Sequence, residues 1–401
     1  MHQMFLEFWE NFRHNLFKPL LLFFYMGFLV PILGVKLDFP HVIYQGLTIF
    51  LLIAIGWHGG EELANLSAAE LGRAGGFMMA GFFANFVIGV TAYLMLRSFT
   101  NLRKVDAATV SGYYGSDSAG TFATAVGVLA SAKIAYAAYM PVMLAVMEIP
   151  GCLVALFVVS SLRRKGMDTR GNMPDEPGFN PAAVPVVDHD SDNGHGSKNG
   201  HEIHPSSENG GDNESRPHVS SRSQKLISAE LLHEVFLNPG IYLLMAGIAI
   251  GFLSGKQGKK VTQDDDLLFL GLFQGLLCLF LLEMGMTASS KLKDLKTAGW
   301  KFIAFGILAP NLFATIGIIV AHLYSMMIGS PLEIGTYVLF SVLCGSASYI
   351  AVPAVQRLAI PEASPTLPLA ASLGLTFTYN VTIGIPVYIQ IAKAMTRAFP
   401  I

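Results

Sequence analysis

The tetrapeptide Gly115-Ser116-Asp117-Ser118 returns 230 residues later as Gly345-Ser346-Ala347-Ser348, and each copy interrupts an apolar stretch near its middle. A second pair falls at nearly the same offset: Ile55-Gly56-Trp57-His58-Gly59-Gly60 against Met284-Gly285-Met286-Thr287-Ala288-Ser289, 229 residues apart. Unwound backbone at membrane depth is tolerated only where protein or a wet cavity satisfies its polar groups. Matched small-and-polar interruptions in two similar halves are therefore the sequence mark of a transporter's binding site.

Composition points the same way. Hydrophobic residues make up 52% of the chain and charged ones 13%, which argues against a soluble domain. A net charge of -2 offers nothing to nucleic acid. Cys152, Cys278 and Cys344 all lie in apolar segments, so no disulfide framework is implied. Residues 1–18 show no cleavable signal. Their aromatics Phe5, Phe8, Trp9 and Phe12 fall on one helical face, as in an interfacial helix leading into the first span.

On the ruler of about 20 apolar residues per span, spans fall near 19–37, 41–58, 74–97, 106–131 and 137–162, then 236–254, 266–289, 298–327, 332–358 and 368–395. The expected fold is all-α: ten transmembrane helices as two five-helix repeats, 19–162 and 230–401. An odd number of spans per repeat makes the second enter from the opposite side, an inverted repeat. Gly81-Phe82-Phe83-Ala84-Asn85 also resembles Gly306-Ile307-Leu308-Ala309-Pro310-Asn311, and Ile149-Pro150 resembles Ile385-Pro386. Between the halves, 163–229 turns polar and Gly-rich without periodicity, which predicts a disordered linker. Its histidines, His189, His195, His201, His204 and His218, lack helical metal spacing and read as solvated linker residues. With the linker inside, Lys and Arg divide thirteen to nine in favour of that side, and Arg163-Arg164-Lys165 abuts a span. The expected setting is a plasma (inner) membrane, with the linker cytoplasmic and both termini outside.

The fourth and ninth spans are expected to be discontinuous at the repeated motif. Splitting a helix exposes an N-terminus that attracts an anion and a carbonyl end that suits a cation. Candidate anion-site residues are Gly115, Ser116, Ser118, Gly120, Thr121, Gly345, Ser346 and Ser348: hydroxyls that donate and accept, and small residues that let broken helices cross. Asp117 is the most informative charge, because an aspartate near a helix centre costs roughly 2.5–3.5 kcal/mol to insert. It reads as an ion ligand or a neighbour of one, as a protonatable relay, or as a cap for the following half-helix. Glu148, two residues before Pro150, joins it as a cation candidate, together with Thr287 and Asn380. Glu283 suits a structural role equally well.

These residues resemble the sodium-dependent bicarbonate transporter family, known from cyanobacterial carbon-concentrating systems. The similarity is carried by Ile55-Gly56 with Gly59-Gly60, Asn101-Leu102-Arg103-Lys104-Val105-Asp106-Ala107, Gly115 to Thr121, Lys133-Ile134 and Glu148-Ile149-Pro150. Met284-Gly285-Met286, Ala309-Pro310, Arg357 and Ile360-Pro361 continue it. The resemblance implies bicarbonate and Na⁺ at the crossing of spans four and nine, a homotrimer in the lipid bilayer, and inhibition by a PII-like regulatory protein from the cytoplasmic side. No cofactor is implied beyond Na⁺ as coupling ion. The chain departs from the pattern at Ser346-Ala347-Ser348-Tyr349, where cyanobacterial members carry Ser-Ser-Ser-Asp. It departs again after Met284-Gly285-Met286, where Thr287 stands in place of an acid and Glu283 precedes the element. Here the acid sits in the first-half motif, as Asp117.

The expected function is Na⁺-coupled bicarbonate uptake by alternating access. The alternatives are a proton- or sodium-coupled carrier of another small organic anion, and an anion-binding channel or sensor. No Ser/His/Asp, zinc or P-loop constellation suggests an enzyme.

Overall fold

The computed structural model describes residues 17–185, 239–297 and 299–401. Among the described residues the chain is helical, with no strand. Its first part comprises α1 (Pro19–Leu33), α2 (His41–Leu63), α3 (Ala68–Phe99), α4 (Lys104–Tyr114), α5 (Ala119–Ser131), α6 (Met140–Met147) and α7 (Ile149–Arg164). Its second part comprises α8 (Pro239–Gln257), α9 (Lys259–Phe269), α10 (Phe273–Lys291), α11 (Trp300–Ile328), α12 (Ile334–Gly345) and α13 (Ala351–Ala359). A composite last helix starts at Leu367–Leu369, runs through π-helical turns at Ala370–Phe377 and Asn380–Gly384, and ends as α14 (Ile385–Ala398). Six helical stretches are long and apolar enough to cross a membrane: His41–Leu63, Ala68–Phe99, Met140–Arg164, Pro239–Gln257, Lys260–Lys291 and Trp300–Ile328. α1 and α12 are apolar but shorter. The expected N-terminal interfacial helix lies outside the described residues, save its last two.

The helix pairing is reciprocal between the two parts. α1 packs along α10, and α2 packs along α8. Glycine sets both approaches: a Cβ on Gly27 of α1 or Gly285 of α10 would land on the partner's Leu282 or Phe24 carbonyl oxygen. Gly56 and Gly60 of α2 lie equally close to the backbone of α8, as Gly251 does to Trp57. Without a hydrophobic drive in lipid, such close backbone packing is what holds membrane helices together. α9 was not anticipated. It is tied to α2 by Trp57 Nε1–H donating to Asp266 Oδ1 (2.9 Å) and by Thr262 Oγ1–H donating to Glu61 Oε1 (3.1 Å).

The largest difference from expectation is at the start of the expected linker. Residues 163 and 164 end α7, and 165–185 form a folded strap rather than a disordered tail. Met167 and Met173 anchor it in a small core with Val105, Ala108, Val159, Leu162 and Ile360. Gly166, Gly171 and Gly178 have φ of 89°, 85° and 88°, and so turn the chain where other residues would be strained. Glu176 accepts from the Lys104 backbone N–H (2.7 Å), satisfying one of the open donors where α4 starts. Arg163 forms a two-pronged pair with Glu362 (2.9 and 2.8 Å) and also donates to the Ala359 carbonyl. The rest of the expected linker, with its histidines, lies outside the described residues.

The strap turns about one carboxylate. Burial raises the pKa of Asp168, but bonds from the Asn172, Asn180 and Arg170 backbone N–H groups and the Asn172 side chain outweigh it, so the pKa falls below the usual range. A depressed native pKa contributes stability above the unfolded value near ~3.9, which is lost as pH falls through the native one. Asp168→Asn should mimic that loss at neutral pH. Hydrogen exchange at Asn172 and Asn180 should then rise roughly tenfold, as loss of charge-assisted bonds implies. Unchanged exchange would show that the strap is held without this carboxylate.

Candidate functional site

α4 ends at Tyr114, the chain runs non-helical through Ser116–Ser118, and α5 begins at Ala119. Ser118 caps α5: its Oγ accepts from the Thr121 N–H (3.2 Å) and from Thr121 Oγ1 (2.9 Å). α12 ends at Gly345 and α13 resumes at Ala351. Both expected breaks are thus present, and they touch: the Ser348 backbone N–H donates to the Tyr113 carbonyl (2.9 Å). Ser116, Asp117, Ser118, Ser346 and Ser348 are all buried, none more than 2% exposed. Gly115 is needed here because a Cβ would stand 2.7 Å from Gly89 Cα and 3.1 Å from Gly151 Cα.

A third interruption meets these two. Between α6 and α7, Glu148 accepts from the Ser116 hydroxyl on its backbone carbonyl. Its carboxylate accepts from the Ser348 hydroxyl at 3.4 Å. One acidic residue thus contacts both broken motifs. Asn85 Nδ2–H donates to the neighbouring Met147 carbonyl (2.8 Å). On the opposite side Asn380 Nδ2–H donates to the Gly345 carbonyl (2.8 Å), and its Oδ1 accepts from Tyr388 (2.7 Å). Asn380 opens the second π-helical turn, a distortion that recurs at functional sites.

Asp117 is fully buried, and neither of its carboxylate oxygens has a hydrogen-bond partner. Asn85 Oδ1 is likewise buried without a donor, and the Asn85 backbone lies against Gly115. The charged side chain that acts on Asp117 is Glu148, of like sign. A buried carboxylate without donors or a counter-charge is costly, so this site must be neutralised by a cation or a proton. Among the described residues no cluster of three or more His, Cys, Asp or Glu could hold a metal. The polar groups that the hydrogen bonds gather at the crossing are hydroxyls (Ser116, Ser348), amides (Asn85, Asn380) and backbone carbonyls, hard oxygen donors of the kind that suit an alkali or alkaline-earth ion.

The other candidates fall into two groups. Gly120 and Thr121 form the first turn of α5, and the Tyr349 hydroxyl lies over Gly120 where a Cβ would be. Ser346 Oγ turns back to the Leu343 carbonyl (3.5 Å). Thr287, however, is on α10 and its hydroxyl donates to Glu283 Oε1 (2.6 Å), so no hydrogen bond brings it to the crossing. Asp117 is not the cap of α5, because the shorter Ser118 side chain takes that place. The sequence marked Tyr349 only as a departure from the family pattern and Asn85 only as part of a match between the halves, and gave neither a place at the site. The signal for Tyr349 was positional, since it directly follows the second motif.

Three buried oxygens without donors, two half-helix N-termini and one bridging glutamate thus meet at this crossing. The family model of the Na⁺-dependent bicarbonate transporter superfamily matches residues 19–393. None of the curated proteins matches the chain.

Proposed function

The chain belongs to the Na⁺-dependent bicarbonate transporter superfamily, and on that premise we propose that it couples inward Na⁺ movement to bicarbonate uptake at the crossing of its two broken helices. Asp117, with two unpartnered buried oxygens, is the observation that carries this reading. Na⁺ sits against Asp117 and the Asn85 amide oxygen, with Glu148 close by. The bound charge then lets bicarbonate settle at the N-terminal ends of α5 and α13, near Gly120, Thr121 and Ser348, where the positive ends of the half-helices favour an anion. Neither charge is stable alone in a dry site, so each ion raises the affinity for the other, and that reciprocity is coupling.

The reciprocal packing of α1 on α10 and α2 on α8 supports ten spans as two inverted repeats. In that arrangement α1, α2, α8 and α10 form a frame, and the crossing with its surrounding helices moves against it by alternating access. The reading is tested in proteoliposomes holding the full chain. Radiolabelled bicarbonate should accumulate above its external level under an inward Na⁺ gradient, with saturation. Under an inward proton gradient in Na⁺-free buffer it should not accumulate beyond the level that protein-free liposomes reach by CO₂ diffusion. Accumulation under the proton gradient instead would assign Asp117 a proton, and equilibration without accumulation would indicate a channel.

A further inference from the structure

A separate cavity of about 90 Å³ opens between α4, α13 and the segment that follows α13. Thr109, Tyr113, Gln356, Arg357, Ser364 and Pro365 are among its lining residues. It lies about one helical turn from the crossing, because Tyr113, which lines it, also gives its carbonyl to Ser348. It is on the side of the bundle where α4 begins and α7 ends.

Two features of its lining have no structural explanation. Gln356 is 4% exposed, yet neither its amide nitrogen nor its amide oxygen has a partner. The amide reaches between α4 and α13 only because Gly112 has no side chain there. Arg357 is exposed at the rim and, among the described residues, forms no ion pair. Its neighbours differ: Arg103 is paired with Asp106, Lys104 with Asp175 and Arg163 with Glu362. The nearby carboxylates are therefore already committed. Asp106 also accepts from the Ser364 backbone N–H (2.8 Å). What is left facing the cavity is a free guanidinium, the Tyr113 hydroxyl and an amide offering both a donor and an acceptor.

We propose that this cavity is a second site for a small planar oxyanion, in series with the crossing, where bicarbonate is held on its way to or from the coupled site. The inference rests on the transport reading for its ligand and on the cavity itself for its existence. A guanidinium suits a carboxylate-like pair of oxygens. Bicarbonate also carries one hydroxyl that donates, so an amide presenting C=O and NH₂ together matches it in both directions. The volume admits a molecule of a few heavy atoms. No carboxylate faces this site unpaired, so binding here needs no cation, in contrast to the crossing.

The test is equilibrium binding of radiolabelled bicarbonate to the purified full chain in lipid nanodiscs, in choline and in Na⁺ buffer. In choline the unmodified protein should show one weak, saturable component. Arg357→Gln should weaken that component roughly tenfold or more, as expected for losing a hydrogen-bonded charge. The component added by Na⁺ should persist. Tyr113→Phe should weaken the same choline component several-fold, which keeps the test open if Arg357→Gln fails to fold. Absence of Na⁺-free binding, or equal binding in a monodisperse Arg357→Gln protein, would overturn the proposal. Arg357-sensitive binding in a protein that shows no Na⁺-driven uptake would sustain this site while overturning the transport reading.

Discussion

Asp117→Asn is expected to fold and reach the membrane like the parent protein, and to need about a hundredfold more Na⁺ for half-maximal uptake. Asparagine keeps the shape of the side chain and one acceptor oxygen but removes the charge. Removing one partner of a buried charge pair costs about 2–5 kcal/mol, and about a hundredfold corresponds to about 2.7 kcal/mol. Stability should move the other way. In Na⁺-free buffer the unmodified protein buries Asp117 with no donor, so the neutral variant should melt no lower than the parent and should lose the rise in Tm that Na⁺ gives. A ligand that binds only the native state stabilises it by mass action, so this loss reads binding directly, without transport. A variant that keeps both the Na⁺-dependent Tm and the Na⁺ dependence of uptake would remove Asp117 from the coupling site.

Gly151→Ala is expected to abolish uptake and lower Tm, although the residue carries no functional group. Its added Cβ would fall on the Gly112 carbonyl oxygen, 2.6 Å from the Ser116 nitrogen and 2.7 Å from the Gly115 carbonyl carbon. All three are backbone atoms at the end of α4 and the start of the first break, so no side-chain rotation relieves the clash. Overpacking of this kind costs about 1–3 kcal/mol, and relief here means pushing α7, with Glu148 near its start, away from the motif. Gly75→Ala, on an exposed stretch of α3 with nothing within 4 Å of the new Cβ, is the matched control and should leave both properties intact. Normal uptake in Gly151→Ala would show that the crossing tolerates displacement of α7 and does not depend on close packing at the break.

The crossing was legible because its residues contradict their surroundings. Gly115 to Ser118 and Gly345 to Ser348 are small and polar inside apolar spans, and the same contradiction marked Glu148 before Pro150. The structure brings exactly those three segments together, at the Ser348–Tyr113 and Ser348–Glu148 contacts. What could not be read depended on partners distant in sequence. Tyr349 is only a departure from the family pattern until Gly120, 229 residues earlier, is placed beneath its hydroxyl. Thr287 looked like a coupling residue by its place after Met286, but the helix puts Glu283 one turn away and that contact takes its hydroxyl. The strap at 165–185 was hidden by its polar composition. It is folded by two buried methionines, the buried Asp168 and the contacts of Asp175 and Glu176 with Lys104, scattered residues that do not register against a long Gly- and Asp-rich background. Arg357 was noted for the family resemblance alone, and its lack of a partner appears only once the neighbouring cations are seen to be paired.

The central claim is that a cation held by Asp117 and a bicarbonate ion bound beside it move as a unit. It is tested most directly by following ²²Na⁺ and ¹⁴C-bicarbonate together in the same proteoliposomes, at clamped zero voltage and constant pH. The account predicts that an inward bicarbonate gradient alone drives Na⁺ uphill, that an inward Na⁺ gradient alone drives bicarbonate uphill, and that at Na⁺ levels saturating for the parent Asp117→Asn shows little of either, recovering only when Na⁺ is raised about a hundredfold. Each ion running only down its own gradient, or bicarbonate accumulating with no accompanying Na⁺, would contradict it.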